Sequence, residues 1–148
     1  MNPVNNNSAQ QCGKRGRDIQ LVLERWGGWA ANEYSGVDYS HIAAGFKGVL
    51  PNTSKSRLSC CDSDGLVVDA AVGSLKKVGR DEDYALIEQH YKKGISKSAI
   101  ARKQKCSEGK IRLKLMMAET FVDACLIMSG AKLEMDEWTH KSEIEKIT

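Results

Sequence analysis

Apolar residues in this chain return every three or four positions, segment after segment, and that spacing constrains the fold more than any other feature. "DIQLVLERWGGWAAN" sets Ile19, Val22, Leu23, Trp26, Trp29 and Ala30 on one helical face. Asp18 stands where it can cap that helix. Gly27-Gly28 weakens the helix by about 1 kcal/mol per glycine relative to alanine, so close approach of another helix is expected there. The tryptophans read as core, with nucleic-acid stacking as the other use open to them. "SGVDYSHIAAGF" predicts a short helix from Ser40. "DSDGLVVDAAVGSLKKV" predicts another, capped by Asp62 or Asp64, with Leu66, Val67, Ala70, Ala71 and Leu75 inward and Lys76-Lys77 suiting its C-terminal dipole. "DEDYALIEQHYKKG" predicts a third, acidic at its start and ended by Gly94. No segment alternates like an amphipathic strand. The expected class is mainly α.

At 148 residues the chain is long enough for one domain with its own core. No apolar run approaches the roughly 20 residues of a membrane span. The opening "MNPVNNNSAQQCGKRGR" lacks an apolar stretch, so a cytosolic protein is expected. Residues 1–17 read as a flexible basic arm, 18–128 as the helical domain and 129–148 as a tail. The tail could bind a partner or pack back on the domain. Between Tyr39 and Cys61 there is no acid, but Lys47, Lys55 and Arg57 are present, and Pro51 interrupts the run. A long basic loop over 46–61 suits an anionic neighbour.

The charge distribution is less even than the net +3 suggests. "GISKSAIARKQKCSEGKIRLKL" holds seven Lys or Arg and a single acid, Glu108. Extended back to Lys92, the count is nine bases to one acid. The same stretch carries Ile100, Ala101, Ile111 and Leu115 at core spacing. Ser96 is placed to cap a helix from about Lys97 to Gln104. Lys105-Cys106 makes a turn, and Ser107 caps a helix from Glu108 to about Met128. Together these predict a helix-turn-helix, with 81–93 as its supporting helix. In such a motif the second helix enters the major groove by its N-terminal half. With Ile111, Leu115 and Ala118 inward, Ser107, Glu108, Lys110, Arg112 and Lys114 are left for DNA. Arg112 suits guanine, and Glu108 suits cytosine N4. Lys97, Ser98, Arg102, Lys103 and Lys105 are placed for phosphates.

Catalysis and metal binding find little support. Asp62, Asp64 and Asp69 read as helix-start residues, and His41, His90 and His140 have no evident nucleophile partner. The five cysteines are odd in number, and their only cluster is the adjacent pair Cys60-Cys61, whose spacing suits zinc poorly. Cys106 and Cys125 read as small buried residues. No catalytic residue, metal or cofactor is expected.

"IARKQKCSEGKIRLKLMMAE" resembles the helix-turn-helix of region four of bacterial sigma factors, in the form I-A-x-x-x-x-x-S-x-x-x-[VI]. Four longer runs, "RDIQLVLERWGGWAAN", "IAAGFKGVLP", "SKSRLSCCDSDGLVVDAAVGSLKK" and "SKSAIARKQKCSEGKIRLKLMMAE", resemble the phage late-gene antiterminator Q proteins of the short lambdoid type. The likeness covers about residues 17–128. It implies binding to a double-stranded DNA element near a phage late promoter, in the cytoplasm of the bacterial host. It also implies loading onto sigma-containing, paused RNA polymerase, at its β flap, and readthrough of pauses and terminators. A ring at the RNA exit channel would pass single-stranded RNA and exclude a hairpin. Lys47, Pro51, Lys55 and Arg57 are the residues the basic loop offers to such a ring. Longer relatives of the lambda type carry a zinc motif that this chain lacks. The competing expectation is a dimeric helix-turn-helix repressor or activator acting by DNA binding alone.

Overall fold

The computed structural model describes residues 16–33 and 57–140. The predicted helix from Ser40, most of the basic loop, the arm before Gly16 and the last eight residues lie outside them. Among the described residues five α-helices follow in order: α1 (Ile19–Glu33), α2 (Asp62–Lys77), α3 (Asp81–Ile87), α4 (Lys97–Gln104) and α5 (Glu108–Met128). A π-helical turn, Glu88–Lys92, prolongs α3, and a 3-10 turn spans Glu134–Trp138. Among the described residues there is no strand, only an isolated antiparallel bridge between Arg17 and His140.

α1 forms as its spacing predicts. The Leu21 N–H donates to Asp18 Oδ1 at 3.3 Å, and Val22, Leu23, Trp26, Trp29 and Ala30 are buried. The two glycines serve close approach. A Cβ on Gly27 would lie 1.9 Å from the Tyr91 carbonyl oxygen, and one on Gly28 would lie 1.9 Å from that of Leu58. The π-helical turn and the chain entering α2 therefore pack directly on the α1 backbone.

α2 departs from the expected pattern in two ways. Its buried line is Asp64, Gly65, Val68, Ala71, Val72 and Leu75, whereas Leu66, Val67 and Ala70 are exposed. The reason lies in Trp29, whose ring packs where a Gly65 side chain would stand and so fixes the helix by that face. The predicted aspartate caps are also corrected. Cys61 occupies the N-cap, and its side chain caps no backbone N–H. Asp62 accepts from the Trp29 indole N–H at 2.9 Å and Asp69 from that of Trp26 at 3.2 Å. Asp64, buried, accepts from the backbone N–H groups of Glu134 and Met135 at 2.9 and 3.0 Å. Buried indole donors need acceptors, and the α2 carboxylates supply them.

Of the two readings left open for the tail, residues 131–140 take the second and pack back. Leu133, Met135 and Thr139 are buried. Arg17 donates to Asp136 Oδ1 at 2.7 Å and to the Ala131 carbonyl at 2.6 Å. Burial works against the Asp136 carboxylate. Hydrogen bonds from Arg17 and the Leu133 N–H outweigh it and hold its pKa below the usual value. Arg17 thus belongs to the folded domain, although the sequence puts it at the end of the arm.

Candidate nucleic-acid interface

The basic stretch folds as two helices joined by a short turn. Ser96 Oγ accepts from the Ala99 N–H and Ser107 Oγ from the Lys110 N–H, both at 3.1 Å, so both predicted caps are present. Lys105 ends α4 in the left-handed conformation at φ 59°, and Cys106 N–H bonds back to the Ala101 carbonyl at 3.0 Å. Gly94 at φ 74° ends the preceding element, as expected. Ile100 and Ala101 of α4 and Ile111, Leu115 and Ala118 of α5 are buried. Core packing therefore turns the cations outward.

Most of the predicted side chains stand exposed on α4, the turn and the start of α5. Arg102, Lys103, Lys105, Ser107, Lys110 and Arg112 are exposed, and Lys97, Ser98 and Glu108 are half-buried. Glu108 pairs with Arg112 at 2.6 Å across one helical turn. Such an exposed pair contributes less than about 1 kcal/mol, so Arg112 can exchange it for another acceptor. Lys114 stands apart on the flank, 3.5 Å from Glu82. The N-terminal end of the α5 dipole adds positive potential beside these cations. The local field is strongly positive although the whole chain is nearly neutral.

Two features escaped the sequence reading. At 3.6 residues per turn, Gly109, Leu113, Met116 and Thr120 lie opposite the buried line Ile111, Leu115, Ala118 and Val122. Leu113 and Met116 are 53% and 54% exposed, as is Met117 at 53%. A helical projection phased on Ile111 and Leu115 would have found them. The second feature is Arg57. Its guanidinium donates to the Tyr91 carbonyl at 2.6 Å and to the Lys92 carbonyl at 3.0 Å, at the C-terminal end of the π-helical turn. Arg57 thus anchors the end of the basic segment to the helical body, and Lys47, Pro51 and Lys55 lie outside the described residues.

Glu119 lies beneath this surface. Buried, it accepts from the Tyr91 hydroxyl at 2.6 Å and from Gln20 Nε2 at 3.3 Å. Together with Lys97, Arg112 and Leu113 it lines a groove of about 340 Å³. His90 Nδ1 is 2.8 Å from the Ile95 carbonyl. Burial, then the charge of Asp64, pushes the Cys60 thiol up to about 12. Among the described residues no group of three or more His, Cys, Asp or Glu could hold a metal ion, and no helix is long and apolar enough to cross a membrane.

The architecture is shared with solved structures. The transcription antitermination factor Q21 in complex with Q21-binding-element DNA matches with a TM-score of 0.55 at 20% identity, covering 74% of this chain and 87% of that one. The bacteriophage 21 Q protein matches with a TM-score of 0.53 at 22% identity, covering 74% and 87%. At these identities the likeness establishes the fold. Sequence relatives are nearer. A probable antitermination protein Q of Acyrthosiphon pisum secondary endosymbiont phage 1 is 51% identical over 120 residues, 81% of each chain. The antitermination protein Q of Escherichia phage 933W is 45% identical over 125 residues, 84% of this chain and 86% of its own. The family model for phage antitermination protein Q matches residues 16–134, and on that match and those relatives this chain belongs to the phage antitermination protein Q family.

Proposed function

We propose that this phage antiterminator binds a double-stranded DNA element near a late promoter through α4, the turn and the first half of α5. The observation that carries this reading is the outward clustering of Arg102, Lys103, Lys105, Lys110 and Arg112 on two helices whose inner faces are buried. The second helix then acts as the recognition helix of a sigma region-four-like helix-turn-helix. A structurally similar factor has been solved on its DNA element, which supports the same use of this fold. Lys97, Ser98, Arg102, Lys103 and Lys105 hold phosphates. Ser107, Glu108, Lys110 and Arg112 face the groove, and Lys114 reaches its edge.

From that element the protein joins sigma-containing RNA polymerase paused close to the promoter, in the cytoplasm of the bacterial host. It travels with the enzyme and suppresses termination. The basic segment 46–56 contributes to a narrow ring at the RNA exit channel that passes single-stranded RNA and blocks hairpin formation. Transcription in vitro with purified polymerase, on templates with and without the element, tests the scheme. Readthrough of a hairpin terminator that depends on both protein and element supports it. Tight binding to the element with no readthrough would leave a repressor or activator acting on DNA alone.

A further inference from the structure

We propose that the uncharged outer face at the start of α5, Gly109, Leu113 and Met116, sits against base edges in the major groove, with Leu113 on the 5-methyl group of a thymine. The proposal rests on the DNA-binding reading above and names the chemistry of recognition within it. Three observations converge. On a helical projection Gly109, Leu113 and Met116 lie opposite Ile111 and Leu115, and they line an open groove with the cations Lys97 and Arg112, so this is the face a groove-bound helix would present. Leu113 is 53% exposed and Met116 54%, which leaves apolar surface in water where the fold has no use for it. Gly109 has no internal reason to be glycine. A Cβ there would meet nothing nearer than Ser107 Oγ at 4.0 Å, and the backbone is ordinary helix. The absent side chain lets an outside surface come close to the helix.

Charge selects the occupant. Lys110 and Arg112 flank the face on either side, and Arg102 and Lys103 extend the positive field across α4. A second copy docked on the same face would bring two basic patches together. A polyanion is attracted by the same cations, and its major groove is apolar at one place, the thymine methyl. Leucine cannot hydrogen-bond, so opposite cytosine, or opposite the N7 edges of purines, it would strand polar groups without partners. Opposite thymine it buries a methyl group.

The test uses the full chain. Duplexes selected by the protein from a randomised pool are resynthesised with each thymine replaced, one at a time, by deoxyuridine, which lacks only the methyl group. Wild-type protein is expected to lose affinity roughly three- to tenfold at one position, the scale of one buried methyl. Leu113→Ala should lose a similar amount on the thymine duplex and nothing more on the deoxyuridine one. Gly109→Ala should melt at an equal or higher temperature and yet bind more weakly. Specific binding with no deoxyuridine effect at any position, or an effect that Leu113→Ala retains, overturns the proposal and leaves the DNA-binding reading standing. A selection that yields no preferred sequence defeats that reading itself. A Leu113→Ala change in sedimentation, with the deoxyuridine effect retained, would assign the face to a second copy instead.

Discussion

The Tyr91 hydroxyl donates a 2.6 Å hydrogen bond to Glu119 Oε2, joining the π-helical end of α3 to the middle of α5. The same residue's carbonyl accepts from Arg57 at 2.6 Å. Tyr91 therefore ties the exit of the basic segment to the helix that carries the candidate DNA face. Burial, followed by the hydrogen bond and charge of Glu119, pushes the phenol well above its ordinary pKa, so it remains a donor at any working pH.

Tyr91→Phe removes the hydroxyl and leaves the buried Glu119 with Gln20 alone. A hydrogen bond to a buried carboxylate is worth about 1.5–3 kcal/mol, and the variant should lose that much stability. Urea unfolding should show a lower midpoint with an unchanged slope. Pairing it with Glu119→Gln should be less damaging than the sum of the two changes, because the second removes the charge that the first strands. Additive losses would mean that the two groups do not act as a pair.

Gly27 and Gly73 give opposite expectations for one chemical change. Gly27→Ala would put a Cβ 1.9 Å from the Tyr91 carbonyl oxygen, and backbone must move. A loss of about 2–3 kcal/mol is expected, despite alanine's better helix propensity. Gly73→Ala meets nothing within 4 Å and should gain about 0.5–1 kcal/mol. Thermal melts of the two variants check this directly, and a stable Gly27→Ala would show that α1 is not held so closely.

The helices were legible because spacing and capping are local. Ser96 and Ser107 each cap a backbone N–H three residues on, which a linear reading can find. Asp62, Asp64 and Asp69 were misread for the same reason. Asp62 and Asp64 stand at a helix start, where the local rule makes them caps, but their donors lie 33 and 70 or 71 residues away, and Asp69, in the helix interior, accepts from an indole 43 residues away. The inward face of α2 was misphased because Leu66, Val67 and Val68 are consecutive and fit more than one stripe. The buried residues that break the tie, Asp64 and Gly65, are not apolar. On α5 the apolar outer residues alternate with cations, so no apolar stripe marks them in the sequence.

Arg17 and Asp136 fasten the returning tail, and their contact predicts a pH dependence. The Asp136 pKa is lowered on folding from the ordinary carboxylate value of 3.8. The stability it contributes is therefore complete above that value and is lost as pH falls through the lower folded value. Asp136 accepts from Arg17 at 2.7 and 3.2 Å and from the Leu133 N–H at 2.9 Å. Asp136→Asn should cost about 2 kcal/mol at neutral pH. The gap between wild type and variant should narrow as pH drops below about 3.8. A gap that stays constant into acid would mean that the charge of Asp136 contributes nothing.

Arg112 and Lys103 separate base reading from phosphate holding. Arg112→Ala should cost about 1–3 kcal/mol of DNA affinity and relax preference at one base position. Lys103→Ala should weaken binding to all sequences alike and reduce the salt slope by about one. Because Glu108 shares Arg112 in the free protein, Glu108→Gln should leave the salt slope close to that of wild type while changing preference near the same position. Salt titrations on selected and scrambled duplexes measure all three. Equal, sequence-blind losses for Arg112→Ala and Lys103→Ala would show that α5 does not read the groove.

The segment between Lys47 and Ser56 separates an antiterminator ring from a protein that acts on DNA alone. These residues lie outside the described ones. Leu58 packs on Gly28, and Arg57 is fastened to the Tyr91 and Lys92 carbonyls. Replacement of residues 47–56 by a Gly-Ser linker that keeps Arg57 should therefore leave the melting temperature within a few degrees of wild type. Binding to the DNA element should also survive, since the cations of α4 and α5 are far from this segment in sequence and packed on their own core. A ring excludes a hairpin by its shape and lines its channel with charge. Readthrough of a hairpin terminator should then fall to the level seen without protein. Undiminished readthrough would remove this segment from the mechanism. Retention of the fold with loss of DNA binding would instead assign Lys47 and Lys55 to the DNA surface.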